Sequence, residues 1–261
     1  MIFYHNISPI ILDFGPLSLR WYGLLFVTGL IITYFVLRWI FKREKLPVHD
    51  LESVALYLFV GMVVGARLGH IVFYDLSYYL ANPLDIFMIW KGGLASHGAA
   101  LGVLLAYLFW IWIHKKKFTI YSDLLVIGFP ITAGFVRLGN FFNSEIVGRA
   151  TDGTRGVVFQ RLGEDFPRYP TQLCESALSF GIFVVLLIVY LKWFKKLPPL
   201  FILFLYVFLY FITRFIIEFW KERHVLEYDI PLSMGQWLSI VPVLIALGYY
   251  IYLLFRCKKS K

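Results

Sequence analysis

Charge is scarce in this sequence: only 16% of its 261 residues are Asp, Glu, Lys or Arg, against 60% apolar and 20% aromatic. A soluble domain carries about 25% charged residues to cover itself in water, so an ordinary soluble globule is excluded. Cysteine is sparse too. Cys174 and Cys257 alone cannot set up a disulfide framework. The two-residue alternation of apolar and polar side chains that a membrane-crossing barrel needs is missing. No His-Glu-x-x-His or Gly-x-Ser-x-Gly motif occurs, which argues against a metal-dependent or serine-elbow membrane protease. No His/Cys/Glu cluster has metal-ligand spacing, so neither a metal nor another cofactor is expected. The first 18 residues lack a basic n-region and no small-residue cleavage site follows the first apolar run. That run is therefore expected to remain as a membrane helix.

What is present is a series of long apolar runs, at about 19–40, 51–73, 93–113, 120–142, 173–194, 200–220 and 235–256. Each reaches the roughly 20 residues that span a ~30 Å hydrocarbon core. In lipid every backbone polar group must be satisfied internally, and the continuity of the runs selects helices over a barrel. The expectation is an all-α integral membrane protein of about seven transmembrane helices. Residues 1–261 read as one membrane-embedded domain without internal repeats.

The formal charge of +9 raises nucleic acid as a partner, but the basic residues are sorted by loop, not gathered in a patch. Arg38, Lys42, Arg43 and Lys45 follow the first run, Lys115, Lys116 and Lys117 the third, and Lys192, Lys195 and Lys196 the fifth. Arg256 and the lysines after it close the chain. The alternate loops are poorer, with Lys91 in one and Lys221 and Arg223 in another. The positive-inside rule then puts the N-terminus outside and the C-terminus in the cytoplasm. One outer loop, 143–172, carries Arg149, Arg155, Arg161 and Arg168 against Glu145, Asp152, Glu164 and Asp165. It reads as a small extracytoplasmic cap between helices four and five, with Gly156 to Gln160 β-like.

Ionisable residues inside spans are costly, face protein or water-filled interiors, and mark function by default. Arg67, Arg137 and Arg214 are such residues. On the sixth run, Tyr210, Arg214 and Glu218 at i, i+4, i+8 form one polar stripe. Arg214 and Glu218 either pair with each other, or Glu218 fixes the guanidinium for an anionic ligand. On the fourth run, Arg137 and Asn140 share a face, and an amide beside a guanidinium suits a phosphate. His97 lies among Gly92, Gly93, Gly98 and Gly102, small residues that are expected to leave open space round the imidazole.

These residues carry a resemblance. The run Arg-Leu-Gly-Asn-Phe-Phe-Asn-Ser-Glu-Ile-Val-Gly-Arg from Arg137 to Arg149 closely resembles the signature of the prolipoprotein diacylglyceryl transferases. Matching segments occur in the same order along nearly the whole chain. They are Arg20-Trp21-Tyr22-Gly23, Gly65-Ala66-Arg67-Leu68-Gly69, Gly92 to Gly102, Pro170 to Glu175, Tyr210 to Glu218, and Met234-Gly235-Gln236-Trp237. Lys221 departs from the pattern, standing where Arg is common; an ammonium cannot reproduce a bidentate fork.

The resemblance implies a bacterial plasma-membrane enzyme that moves the diacylglyceryl group of phosphatidylglycerol to the lipobox cysteine of prolipoproteins, releasing glycerol 1-phosphate. Arg137 and Arg214 become its central basic residues and His97 its candidate base. Tyr22, Asn140, Glu145, Gly148, Tyr210 and Glu218 support them, and Arg67 contacts either substrate or protein. A thiol of pKa ~8.5 is only about 3% thiolate at pH 7. Guanidiniums that stabilise thiolate and leaving phosphate are therefore expected, with His97 as base if it lies close to the thiol. The rival reading is a transporter or flippase for an anionic lipid or solute, which predicts polar residues through the full membrane depth and an internal repeat. A scaffold whose polar residues only pack helices is a further alternative.

Overall fold

The computed structural model describes residues 1–15, 18–88, 92–222 and 231–259; Trp90, Lys91, Arg223 and Lys261 lie outside these. Among the described residues, seven helical stretches are long and apolar enough to cross a bilayer: Trp21–Arg43, Val48–Phe73, His97–His114, Phe118–Asn143, Thr171–Lys196, Phe201–Trp220 and Met234–Arg256. They coincide with the apolar runs to within a few residues. The chain is an all-α polytopic membrane protein.

The helices are α1 (Trp21–Arg43), α2 (Val48–Phe73), the short α3 (Leu76–Ala81), α4 (Ser96–His114), α5 (Phe118–Leu125), α6 (Phe129–Asn143), α7 (Thr171–Trp193), α8 (Phe201–Ile217) and α9 (Met234–Lys259). Four short strands accompany them: β1 (Ile2–His5), β2 (Ile10–Asp13), β3 (Ser18–Arg20) and β4 (Gly156–Phe159). The described chain divides into two compact units, residues 1–37 with 122–261, and residues 38–121.

The fourth run is not one continuous helix as expected. It breaks at residues 126–128 into α5 and α6, because Pro130 at the start of α6 has no N–H to continue the ladder. The Gly128 carbonyl accepts from the Ile131 N–H at 3.1 Å and takes a second bond from the Thr33 hydroxyl of α1 at 3.1 Å, which also pairs with Thr132 at 2.8 Å. A second polar contact ties this region to α8: the Asp123 carboxylate accepts from Leu200 N–H (2.7 Å) and Leu203 N–H (2.8 Å). Those donors belong to the first turn of α8, which has no partners within its own helix.

In the unit of residues 38–121, α2 and α4 pack backbone to backbone. A Cβ on Gly65 would lie 2.4 Å from the Gly98 carbonyl oxygen, and one on Gly102 would lie 2.0 Å from that of Gly61. Gly61, Gly65 and Gly69 on α2 thus meet Gly98 and Gly102 on α4, the small-xxx-small pattern that lets membrane helices approach closely. The expected open space beside His97 is therefore filled on this side: Gly98 and Gly102 are small because α2 occupies that room.

The segment between α6 and α7 is folded rather than loose. β4 lies within it, as the β-like pattern there predicts, and pairs in parallel with β1 from the start of the chain. The Met1 amino group donates to the Thr154 carbonyl at 3.0 Å. Arg168 binds this segment together. Its Nε and Nη2 hold both oxygens of Glu164 at 2.5 and 2.6 Å, and Nη1 reaches the Gly148 carbonyl and Glu222, each at 3.0 Å.

His5 is the β1 residue that points inward. It is fully buried, edge-on to Phe141 and tilted against Phe159, and neither ring nitrogen meets a partner among the described residues. Burial pushes its pKa below the ordinary 6.5; the Arg161 charge acts the same way, while its own backbone carbonyl acts against both. A depressed histidine pKa means the unfolded state takes the proton first. Its stability contribution is complete above pH ~6.5 and is lost as the pH falls from there through the folded value. The melting temperature of the purified protein is thus expected to drop between pH 7 and pH 5, and His5→Phe to flatten part of that drop. A wild type and His5→Phe with parallel pH profiles would refute this.

Candidate active site

The end of α6 creates the first half of the site. Arg137 and Asn140 share a face, and Arg137 Nη1 donates to Asn140 Oδ1 at 3.2 Å. Ser144 then turns left-handed (φ 57°), and the Glu145 N–H reaches back to the Asn140 carbonyl at 2.9 Å. This six-to-one closure ends the helix in Schellman fashion and swings Glu145 back beneath it. The Glu145 carboxylate accepts from the amides of Asn140 and Asn143, each at 3.2 Å. Gln172, fully buried on α7, donates to the Glu145 carbonyl at 2.7 Å and holds the turn in place.

The second half is a buried ion network. Glu175 on α7 takes Arg137 Nε on one oxygen at 2.9 Å and Lys221 Nζ on the other at 2.6 Å, and Lys221 also lies 3.5 Å from Glu218. The side chains of Glu175 and Lys221 are each 9% exposed. A carboxylate this buried is costly unless it is paired, and here it bridges two cations, its Oε2 meeting Arg137 Nε as an ion pair without a hydrogen bond. Arg137 is thereby held by Nε and Nη1, with no partner to Nη2 among the described residues.

The stripe on α8 is only partly as expected. Glu218 does not pair with Arg214. The α-helix stops at Ile217 and tightens into a 3-10 turn over Glu218–Trp220, where residues three apart eclipse. This lines Glu218 up with Lys221 instead. Gly235 at the start of α9 leaves room for the Glu218 carboxylate, since a Cβ there would lie 2.5 Å from its oxygen. Arg214, half-buried, makes no side-chain hydrogen bond or ion pair among the described residues. Tyr210 lies one turn below it, its ring stacked on Tyr206 at 5.5 Å.

Two further candidates belong to the same unit. Tyr22 lies against Gly139, where an added Cβ would come within 2.8 Å of its ring. Gly148 threads between two segments, around Tyr169 and Trp220: its N–H donates to the Tyr169 carbonyl at 3.1 Å, and a Cβ would collide with Tyr169 and Trp220 carbonyl oxygens at 2.4 and 2.9 Å.

The remaining two lie in the unit of residues 38–121. Arg67 is 4% exposed and is caged by backbone: Nε donates to Ile86 O (2.9 Å), Nη1 to Gly92 O (2.6 Å) and Gly93 O (3.1 Å), and Nη2 to Asp85 O and Met88 O. Its guanidinium also covers the Tyr79 ring at 4.8 Å. All three nitrogens have carbonyl partners, so the geometry describes an organiser of residues 85–88 and 92–93. His97 is exposed at the first turn of α4.

Sequence reasoning missed Glu175 and left Lys221 without a role. The signal for Glu175 was available: an acidic residue near the start of an apolar span deserves the same attention as an arginine. Lys221 needs no fork, because its job in this fold is to share one charge between two carboxylates.

Comparison with known proteins gives matches along nearly the whole chain. The family model described as prolipoprotein diacylglyceryl transferase matches residues 9–252. A phosphatidylglycerol–prolipoprotein diacylglyceryl transferase of Tolumonas auensis is 44% identical, with both chains covered completely. Proteins of the same name from Chloroherpeton thalassium and Geobacter sulfurreducens are 38% and 36% identical, over 98% and 93% of this chain and 94% of each relative. Such matches do not favour a transporter. The chain is a transferase that belongs to the prolipoprotein diacylglyceryl transferase family.

Proposed function

We propose that this protein transfers the diacylglyceryl group of phosphatidylglycerol to the lipobox cysteine of a prolipoprotein at the bacterial plasma membrane. The observation that carries the site assignment is a pair of guanidiniums, Arg137 and Arg214, that sit in apolar helices with donors unoccupied among the described residues. Each suits an anionic phosphodiester, and a guanidinium can offer it two parallel N–H bonds.

In this reading the cysteine sulfur attacks the glyceryl carbon that bears the phosphate. The C–S bond forms as the C–O bond to phosphate breaks, and glycerol 1-phosphate leaves with the electron pair. Arg137 and Arg214 stabilise charge gathering on the leaving oxygens and on the thiolate. The family resemblance gives the thiol proton to His97, provided the imidazole lies close to the thiol. Asn140, Glu145 and Glu175 orient Arg137, Gly148 and Tyr22 shape the site, and Arg67 organises the segment ahead of α4. The N-terminus and residues 143–172 face outward, the latter as a cap where the acceptor peptide arrives, and the C-terminus is cytoplasmic. Support for that orientation is the excess of lysine and arginine in the opposite loops.

The test is direct. Purified protein in detergent is incubated with phosphatidylglycerol and a lipobox peptide, and the peptide is weighed by mass spectrometry. A gain of one diacylglyceryl unit on cysteine is expected. No gain, under conditions where an established family member works, would overturn the reading. His97→Ala with near-normal turnover would remove the base assignment alone.

A further inference from the structure

α8 carries its polar residues in a column that runs one turn deeper than the stripe visible at first. Tyr206, Tyr210 and Arg214 are spaced i, i+4, i+8, so successive side chains lie about 6 Å apart along the helix axis. Tyr206 and Tyr210 stack at 5.5 Å with ring planes 27° apart, and Phe129 and Tyr206 meet edge to face at 6.2 Å. The rings therefore have neighbours.

Their hydroxyls do not. Neither Tyr206 nor Tyr210 makes a side-chain hydrogen bond among the described residues, although both are half-buried in a largely apolar helix. Other hydroxyls on α8 and α9 show what a satisfied group looks like here. Thr213 bonds back to the Leu209 and Tyr210 carbonyls at 2.7 and 2.9 Å. Tyr249 and Tyr250 reach the Pro199 and Phe201 carbonyls at 2.7 and 3.2 Å. A hydroxyl at membrane depth without water needs a partner, and a phenol offers its proton to an acceptor. The two donors unused among the described residues are in line with Arg214, whose guanidinium is likewise unpartnered among them.

We infer that the Tyr206 and Tyr210 hydroxyls bind the two ester carbonyls of the diacylglyceryl donor while Arg214 holds its phosphate. This rests on the transfer reaction proposed above and names a binding role for Tyr206. The chemistry fits in order. Going inward from the phosphate, a phospholipid presents a glycerol unit comparable in length with one helical turn. Its two ester carbonyls follow, acceptors with no hydrogen to give, and then acyl chains that need no polar partner. The column presents a cation, then two donors one turn and two turns deeper, and then apolar helix. Both tyrosines are binding residues in this assignment, since neither is placed on the reacting atoms. The stack keeps the hydroxyls apart at a fixed spacing, so they read two carbonyls rather than share one.

The experiment compares diester phosphatidylglycerol with its dialkyl ether analogue, which has the same headgroup and chains but no carbonyls. Transfer to a lipobox peptide is measured across lipid mole fractions for full-length wild type, Tyr206→Phe and Tyr210→Phe in detergent. The Phe variants keep the ring stack and remove only the donor. Wild type is expected to show a lower KM for the diester than for the ether lipid. Tyr206→Phe should raise KM for the diester by about three- to tenfold, the loss of one hydrogen bond. It should leave KM for the ether lipid, and kcat for both, near wild type. An equal change with both lipids, or none with either, would overturn the carbonyl contacts while leaving the transfer reaction standing. Transfer of neither lipid by wild type would overturn the reaction itself, and the contacts with it. Thermal unfolding of the variants at the wild-type temperature is expected, and a lowered midpoint matched by equal KM changes would point to a packing role instead.

Discussion

Replacing Arg214 by alanine should lower diacylglyceryl transfer by about 10²–10³-fold, the usual loss when one pre-positioned electrostatic donor is removed, and leave the unfolding temperature near wild type. The asymmetry follows from its surroundings. Arg214 has no side-chain partner among the described residues, so its removal strands no buried carboxylate there; Glu218 already has Lys221. Arg137→Ala is expected to behave differently. It removes a comparable donor and also takes one of the two cations from Glu175, so it should reduce both turnover and thermal stability. Leaving a buried charge short of its partner is costly, about 3–5 kcal/mol when the charge is left alone, and less here because Lys221 remains. Arg214→Lys should recover part of the activity by restoring charge without the fork. Initial rates at saturating lipid, together with thermal unfolding in the same detergent, separate the cases. An Arg214→Ala enzyme with more than a tenth of wild-type kcat would sink the clamp assignment.

The spans were legible because a bilayer imposes a simple rule: a helix must be long and apolar enough to cross it. What that rule does not encode was harder to read. Pro130 signals a break only if the tolerance of membrane helices for proline is set aside, and the hydroxyl that adds a bond at the break, Thr33, lies nearly a hundred residues away. β1 was invisible for a similar reason: Ile2–His5 has no partner nearby, and pairs with Gly156–Phe159 across the length of four spans. A four-residue strand has too little pattern to declare such a partner.

The site shows the same division between local and long-range information. Arg137 with Asn140 was readable from helical spacing, and their hydrogen bond follows it. Arg214 with Glu218 obeyed the same spacing and does not pair, because the helix changes its period one residue before Glu218. A helical wheel assumes a pitch that a helix end need not keep. Glu175 was hidden because its value depends on two cations that reach it from α6 and from the segment after α8. The Lys221 departure from the family pattern becomes intelligible in this setting. Between two carboxylates, a compact ammonium with three donors suffices where a bidentate plane would be needed against one.

The glycines of α2 and α4 lead to the largest expected loss of stability. A Cβ on Gly98 would sit 2.3 Å from the Gly65 carbonyl oxygen and 2.8 Å from the Gly69 Cα. Both obstacles are backbone, so no rotamer change can relieve the clash; the helices must part. Overpacking a well-packed interior costs about 1–3 kcal/mol when side chains can adjust, and Gly98→Val should exceed that range. Gly98→Ala should fall between it and wild type. Gly181 on α7 and Gly248 on α9 provide matched controls, because an added Cβ there meets nothing within 4 Å; alanine at either should leave the midpoint unchanged or slightly raised. The comparison also bears on His97, the neighbour of Gly98. If small residues were present there to admit a ligand, Gly98→Ala would impair transfer while the protein melted normally. If they are present to admit α2, activity and thermal midpoint should fall together across the Ala and Val variants. Melting curves of Gly98→Val and wild type that superimpose would contradict the packing account, because no adjustment of side chains can make room for that Cβ.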